Sequence, residues 1–130
     1  METLALIIDE EPLIRNLMAK LLALKDIDSH QAASDEEAFQ LLEEHSYNLI
    51  FLDLMLTNNK GFAVLNDIRE RFPEQTQHTV LTTSGDSKFL TQLPATGWCT
   101  MLVKPFEVSE FYRIAELCLH GFHTGGVCYN

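Results

Sequence analysis

The sequence predicts an α/β fold: one doubly wound, five-stranded parallel sheet with five helices on its two faces. Apolar runs such as Leu4 to Ile8, Leu49 to Leu52 and Met101 to Val103 are continuous rather than alternating, as expected of strands buried on both faces. Stretches with apolar residues at three- and four-residue spacing separate them, as in helices that cover such a sheet. Charged residues follow three of the runs: Asp9 and Glu10 after the first, Asp53 after the central one and Lys104 after the last.

Taken in order, Leu4 to Ile8 reads as the first strand, and Pro12 then falls where the first turn of a helix tolerates proline. Leu13, Ile14, Leu17, Met18, Leu21 and Leu22 give that helix one apolar face, ending near Lys25. Ser29 to Ala33 is a weak second strand. Ser34 or Asp35 caps a second helix whose apolar positions are Ala38, Phe39, Leu41 and Leu42. Leu49 to Leu52 is the third strand, and an Asn-containing loop, Thr57 to Lys60, closes at Gly61. Phe62, Val64, Leu65, Ile68 and Phe72 make a third helix that Pro73 stops. Thr79 to Thr82 is a fourth strand, followed by a short helix from Gly85 and Asp86 through Leu93 that Pro94 and Gly97 end. Cys99 to Val103 is the fifth strand, and Val108, Phe111, Ile114, Ala115, Leu117 and Cys118 line the last helix.

One domain over residues 1–120 accommodates all of this, with residues 121–130 expected as a flexible tail or truncated linker because Gly121, Gly125 and Gly126 crowd it. In 130 residues no second catalytic or DNA-binding domain is expected, and 46% hydrophobic content argues against disorder. A formal charge of -10, from 19 acidic against 9 basic residues, opposes direct nucleic-acid contact, which draws its affinity from Lys and Arg. Much of that charge reads as ordinary solubility. No apolar stretch approaches the ~18 residues of a membrane span, and METLALIIDE lacks a signal peptide's basic start. A cytoplasmic location is therefore expected. Cys99, Cys118 and Cys128 are odd in number, widely spaced and without a CxxC pair, and read as small buried or tail thiols in a reducing compartment. His30, His45, His78, His120 and His123 stand in no ligand spacing and read as surface residues.

Groups that act on ligands in open α/β sheets lie just beyond the carboxyl ends of the strands. Asp9, Glu10, Asp53 and Lys104 are thus expected at one edge, where crowded carboxylates repel unless a cation joins them. Asp53, ending the central strand, is the candidate nucleophile, able to take a phosphoryl group by in-line attack. Mg²⁺, with Mn²⁺ as a substitute, suits a site of one or two carboxylates, water and phosphate oxygens. Lys104 supplies a positive charge for Asp53 and then for a phosphoryl oxygen, and Thr82 a hydroxyl, with Thr83 and Ser84 as alternatives.

LIIDEEPLIR, IFLDLML, GFAVLNDIRERFP, VLTTSGD and VKPFE, in that order, resemble the receiver domain of two-component response regulators, the CheY-like family, over residues 3–120. The resemblance implies a flavodoxin-like fold and Mg²⁺-dependent acceptance of phosphate on Asp53 from a histidine kinase or histidine phosphotransfer protein. Slow self-catalysed hydrolysis and a conformational switch acting on a downstream output domain or target would follow. It implies metal binding by Asp9, Glu10, Asp53 and the backbone carbonyl of Met55, phosphoryl reading by Thr82 and Lys104, and a cis Lys104–Pro105 peptide. It also places partner contacts on the face of the fourth helix, fifth strand and last helix, in a monomer or a phosphorylation-promoted dimer. Met55 and Ser84 fall where the family tunes phosphate lifetime, though Met55 reads equally well as a packing residue. Glu10 replaces the usual aspartate, Thr57 a common proline, which suggests a more mobile loop, and Met101 an aromatic switch residue. Glu10 and Met101 favour an alternative, a degenerate receiver acting as a phosphorylation-independent interaction or dimerisation module, which intact Asp53, Thr82 and Lys104 oppose. A phosphohydrolase is disfavoured, because Met55 stands where a second catalytic aspartate would be needed.

Overall fold

The structure, a computed structural model, describes residues 3–84, 93–94 and 96–120. Its elements are β1 (Leu4–Ile8), α1 (Pro12–Ala23), β2 (Asp28–Ala32), α2 (Asp35–Glu44), β3 (Leu49–Asp53), α3 (Lys60–Arg71), β4 (Thr79–Thr83), β5 (Thr100–Val103) and α4 (Val108–Leu119). All four strand pairs are parallel, in the order β2-β1-β3-β4-β5. The helix expected between Gly85 and Leu93 and the tail from Gly121 lie outside the described residues, apart from Leu93 itself.

Each strand divides its side chains between two cores because successive residues point to opposite faces. Ala5, Ile7, Leu49, Phe51, Val80 and Leu102 meet Met18, Leu21 and Leu22 of α1 and Phe111, Ile114 and Ala115 of α4. Leu6, Ile8, Ile50, Leu52 and Leu81 meet Ala38 and Leu42 of α2 and Val64, Leu65 and Ile68 of α3. Full burial of a Leu, Ile or Phe contributes about 2 kcal/mol, so this two-sided packing is what holds the sheet. Phe51 and Phe111, both fully buried, stack with ring centroids 5.1 Å apart.

The helix starts follow local chemistry. Ser34 caps α2: its hydroxyl accepts the Glu37 amide, while the Glu37 carboxylate accepts the Ala33 amide, a reciprocal box that satisfies two otherwise orphaned donors. Pro73 does stop α3, but the chain continues into a 3₁₀ turn over Pro73–His78 that the periodicity had not suggested. The expected apolar face of α1 is narrower than its spacing implied. Met18, Leu21 and Leu22 are buried, but Leu13 is 81% exposed and Leu17 43%. A helix lying on a sheet buries one stripe, and two extra leucines overshoot it.

The strand order has one functional consequence. The chain steps outward from β1 to β2 on one side, then returns to place β3 on the other side of β1. Beyond the carboxyl ends of β1 and β3 the connections diverge, which opens a crevice at this switch point.

Candidate functional site at the carboxyl edge

β1 and β3 run in register from Ala5 opposite Leu49 to Ile8 opposite Leu52, so Asp9 and Asp53 leave the sheet side by side. Both are nearly closed off, at 1% and 5% exposure. Lys104, just past β5, reaches back to both: its ammonium lies 2.6 Å from Asp9 Oδ2 and 3.5 Å from Asp53 Oδ2. Asp9 Oδ1 accepts the Glu11 amide at 2.9 Å, and Asp53 Oδ1 the Met55 amide at 2.8 Å. Burial pushes the Asp53 carboxyl above its ordinary value; Asp9 adds to the rise, while Lys104 and the Met55 amide oppose it. Burial works against the charged Lys104, but the Asp9 hydrogen bond and both carboxylates outweigh it and hold the ammonium above its usual range.

Glu10 stands apart from this cluster. Its carboxylate spans Thr57, taking the backbone amide on Oε2 and the hydroxyl on Oε1, each at 2.9 Å. The loop after β3 is therefore tethered through Thr57, where a more mobile loop had been expected. A proline at that position would lack both donors. Among the described residues, no three carboxylates, imidazoles or thiols gather around one point; Lys104 occupies the space between Asp9 and Asp53, and Glu10 faces the loop.

Thr82 is the register partner of Asp53 and is buried at 2% exposure. Thr83 Oγ1, on the opposite face, is buried without a hydrogen-bond partner. Ser84 is exposed just past the end of β4. Continuing the strand's alternation by one residue puts Ser84 on the Thr82 face, and continuing the Thr83–Val103 pairing puts it level with Lys104. Met101 lies half-buried against the α2/α3 core, and the Lys104–Pro105 peptide is cis.

Four further residues shape the site and drew little notice in the sequence. Arg15, one turn into α1, donates from Nη1 to the Asp9 carbonyl at 2.6 Å and from Nε to Gln31 Oε1 at 3.1 Å, which fixes the end of β1. Its only signal is its place one turn after the acidic pair. Gly61 lets α3 press against the end of β3: a Cβ there would lie 2.5 Å from the Asp53 carbonyl oxygen and 2.7 Å from Leu54 Cα. Asn58 and Asn59 take left-handed backbone conformations, φ 62° and 59°, which turn the chain from the loop into α3. Asparagine tolerates that region better than most residues.

The cysteine expectation is corrected. Cys99 and Cys118 are joined in a disulfide across a separation of 19 residues, and both are fully buried. They are far apart in sequence, but a strand and its covering helix bring them together, which spacing alone does not reveal. His45 and His120 are exposed as expected, but His30 and His78 are part-buried. His30 Nδ1 is 2.9 Å from the Tyr47 hydroxyl, and its ring lies 4.6 Å from that of His45.

No helix among the described residues is long and apolar enough to cross a membrane. The response regulator receiver domain family matches residues 5–116. Over 105 residues, 81% of this chain, the sequence is 34% identical to the transcriptional regulatory protein SrrA of Staphylococcus aureus, and the match spans 43% of that protein. The chain thus covers less than half the length of the curated relatives it matches. Among solved structures, a CheY-like receiver domain protein from Methanospirillum hungatei superposes with a TM-score of 0.80 at 18% identity, covering 92% of this chain and 95% of that one. NtrX from Brucella abortus superposes with a TM-score of 0.82 at 25% identity, covering 92% of this chain and 27% of that one. With the parallel sheet in its 2-1-3-4-5 order and Asp53 at the switch-point crevice, the chain belongs to the response regulator receiver domain family of two-component systems.

Proposed function

We propose that Asp53 accepts a phosphoryl group from a histidine kinase or histidine phosphotransfer protein, and that its modification switches the binding of a downstream output domain or target. The observation that carries this reading is the charge balance of the crevice. Among the described residues, two nearly buried carboxylates, Asp9 and Asp53, face one ammonium, one negative charge in excess. An uncompensated buried charge is costly, and a cation would offset it.

The donor set fits a hard cation: Asp9, Asp53 and the carbonyl of Met55 are all oxygen ligands, and Mg²⁺ takes one or two carboxylates and keeps several waters. Glu10 would contribute from outside, through water. Bound there, Mg²⁺, or Mn²⁺ in its place, would neutralise charge on the transferring phosphoryl oxygens. Asp53 Oδ would attack phosphorus as the bond from phosphorus to the donor's imidazole nitrogen breaks. Lys104 would exchange part of its hold on Asp53 for a phosphoryl oxygen. A phosphoryl group on Asp53 extends beyond the strand end, so the hydroxyl that meets it belongs one step further out than the aspartate's own register partner. Ser84 is therefore better placed than Thr82 as that donor. The same constellation would admit water for slow self-hydrolysis; in this reading the chain is a signalling acceptor, not an enzyme of high turnover. Leu13, Val103 and Val108, all at least 49% exposed, form an apolar rim at this edge suited to a docking phosphodonor. The domain would occupy residues 1–120, act in the cytoplasm and make no direct nucleic-acid contact.

The test is intact-mass spectrometry with acetyl phosphate and Mg²⁺. A single phosphoryl adduct is expected, absent in Asp53→Asn and absent with chelator, and more strongly reduced by Ser84→Ala than by Thr82→Ala. No adduct at saturating donor and metal would transfer support to the degenerate interaction module. The Glu10–Thr57 pairing is the observation on that side.

A further inference from the structure

At the opposite, amino edge of the sheet, Cys99 and Cys118 are held by neighbours that do not depend on their bond. The Cys99 amide donates to the Thr79 carbonyl at 2.6 Å. The Cys118 carbonyl lies 2.6 Å from Nδ1 of His78; because a carbonyl can only accept, that nitrogen carries the proton. Two adjacent residues, His78 and Thr79, therefore position both cysteines. Their Cα atoms are 6.0 Å apart, within the ~4.4–6.8 Å span that a disulfide bridges. With the bond opened, this scaffold would keep the two sulfurs opposed, and closure would be an intramolecular reaction between prepositioned groups. Both cysteines are fully buried, so exchange needs local opening, which favours Cys118: it sits in the last turn of α4, and terminal turns open at far less cost than a whole domain. In reducing compartments disulfides are uncommon, and those found there are mostly transient or redox-sensing.

We propose that Cys99 and Cys118 form a thiol–disulfide exchange site whose substrate is a dithiol, either small or carried on a protein. A thiolate of that dithiol attacks Cys118 Sγ. The Cys99–Cys118 bond breaks, and Cys99 leaves as a thiolate that takes up a proton. The second thiol of the reductant then attacks the mixed disulfide and frees Cys118 as a thiol. The reductant departs as a disulfide, having delivered two electrons and two protons, and oxidation by a disulfide reverses each step. Closing the pair ties α4 to the start of β5, the strand that carries Met101 and leads into Lys104. The cytoplasmic reading supplies only the redox setting of this inference.

The full chain carrying Cys128→Ser, equilibrated in buffers of varied reduced-to-oxidised dithiothreitol ratio, acid-quenched and alkylated, gives a direct readout by mass. A single transition between two labels and none is expected. Amide hydrogen exchange in the last turn of α4 should be at least tenfold slower in the oxidised form. Two labels at every ratio, no labels at every ratio under native conditions, or equal exchange in both forms would each overturn the proposal. No phosphodonor or metal enters the experiment, so its failure is separate from failure of phosphoryl acceptance.

Discussion

The two edges of the sheet solve opposite problems with similar materials. At the carboxyl edge, buried charges are matched incompletely: Asp9 and Asp53 share Lys104, and burial leaves Asp53 at a raised pKa. At the amino edge, the polar groups around Cys99 and Cys118 are paired with backbone partners, and a covalent bond closes the corner. One edge is held in a state that a ligand can relieve, and the other is fastened.

The largest expected effect comes from breaking the tension at the carboxyl edge the wrong way. Lys104→Met removes the one cation that, among the described residues, pairs with the two nearly buried carboxylates, and removal of one partner from a buried pair costs about 3–5 kcal/mol. Urea denaturation of metal-free protein measures it; a loss below ~1 kcal/mol would mean that the carboxylates are satisfied without the lysine.

At the other edge, Cys99→Ser combined with Cys118→Ser reopens a loop that the disulfide closes over 19 residues of separation. Loop entropy alone predicts a loss of about 3 kcal/mol relative to the oxidised protein. Equal stability of the two would show that the hydrogen bonds from His78 and to Thr79 suffice to hold the corner.

The smallest effect has the opposite sign. The folded protein holds Asp53 at a raised pKa, mainly through burial, so its ionisation opposes folding. That penalty is full above the folded-state pKa and disappears as the pH falls below the ordinary aspartate value of about 4, where folded and unfolded chains are both protonated. Asp53→Asn in metal-free protein should therefore melt a few degrees higher at neutral pH, with the gain shrinking as the pH falls through that window. A gain independent of pH would sever the link between the burial of Asp53 and its cost.

Much of this contrast was legible in the sequence at one edge and hidden at the other. Asp9, Asp53 and Lys104 announce themselves because each directly follows a continuous apolar run, and strand direction alone then brings them to one edge. Glu10 follows the same run yet turns to Thr57, since past a strand end the side chain is aimed by whichever donors stand nearby, and no periodicity encodes those. The choice of hydroxyl is open to the sequence for a related reason. Counting residues favours Thr82, whereas our proposal of Ser84 rests on the depth at which β4 sits against β3, and that depth is a matter of register. The Cys99–Cys118 bond was illegible because it joins a strand to the helix that folds back over it, a pairing set by tertiary packing.

Gly61 shows what the first turn of α3 permits. With a hypothetical Cβ only 2.5 Å from the Asp53 carbonyl oxygen, the helix start and the Asp53 backbone are in van der Waals register and must travel together. An event at Asp53 therefore has no slack to absorb on that flank. Under the proposed phosphorylation of Asp53, movement would be left to the β4 and β5 side, where Thr82 and Lys104 flank the aspartate, so the missing methyl group would set a direction for the signal.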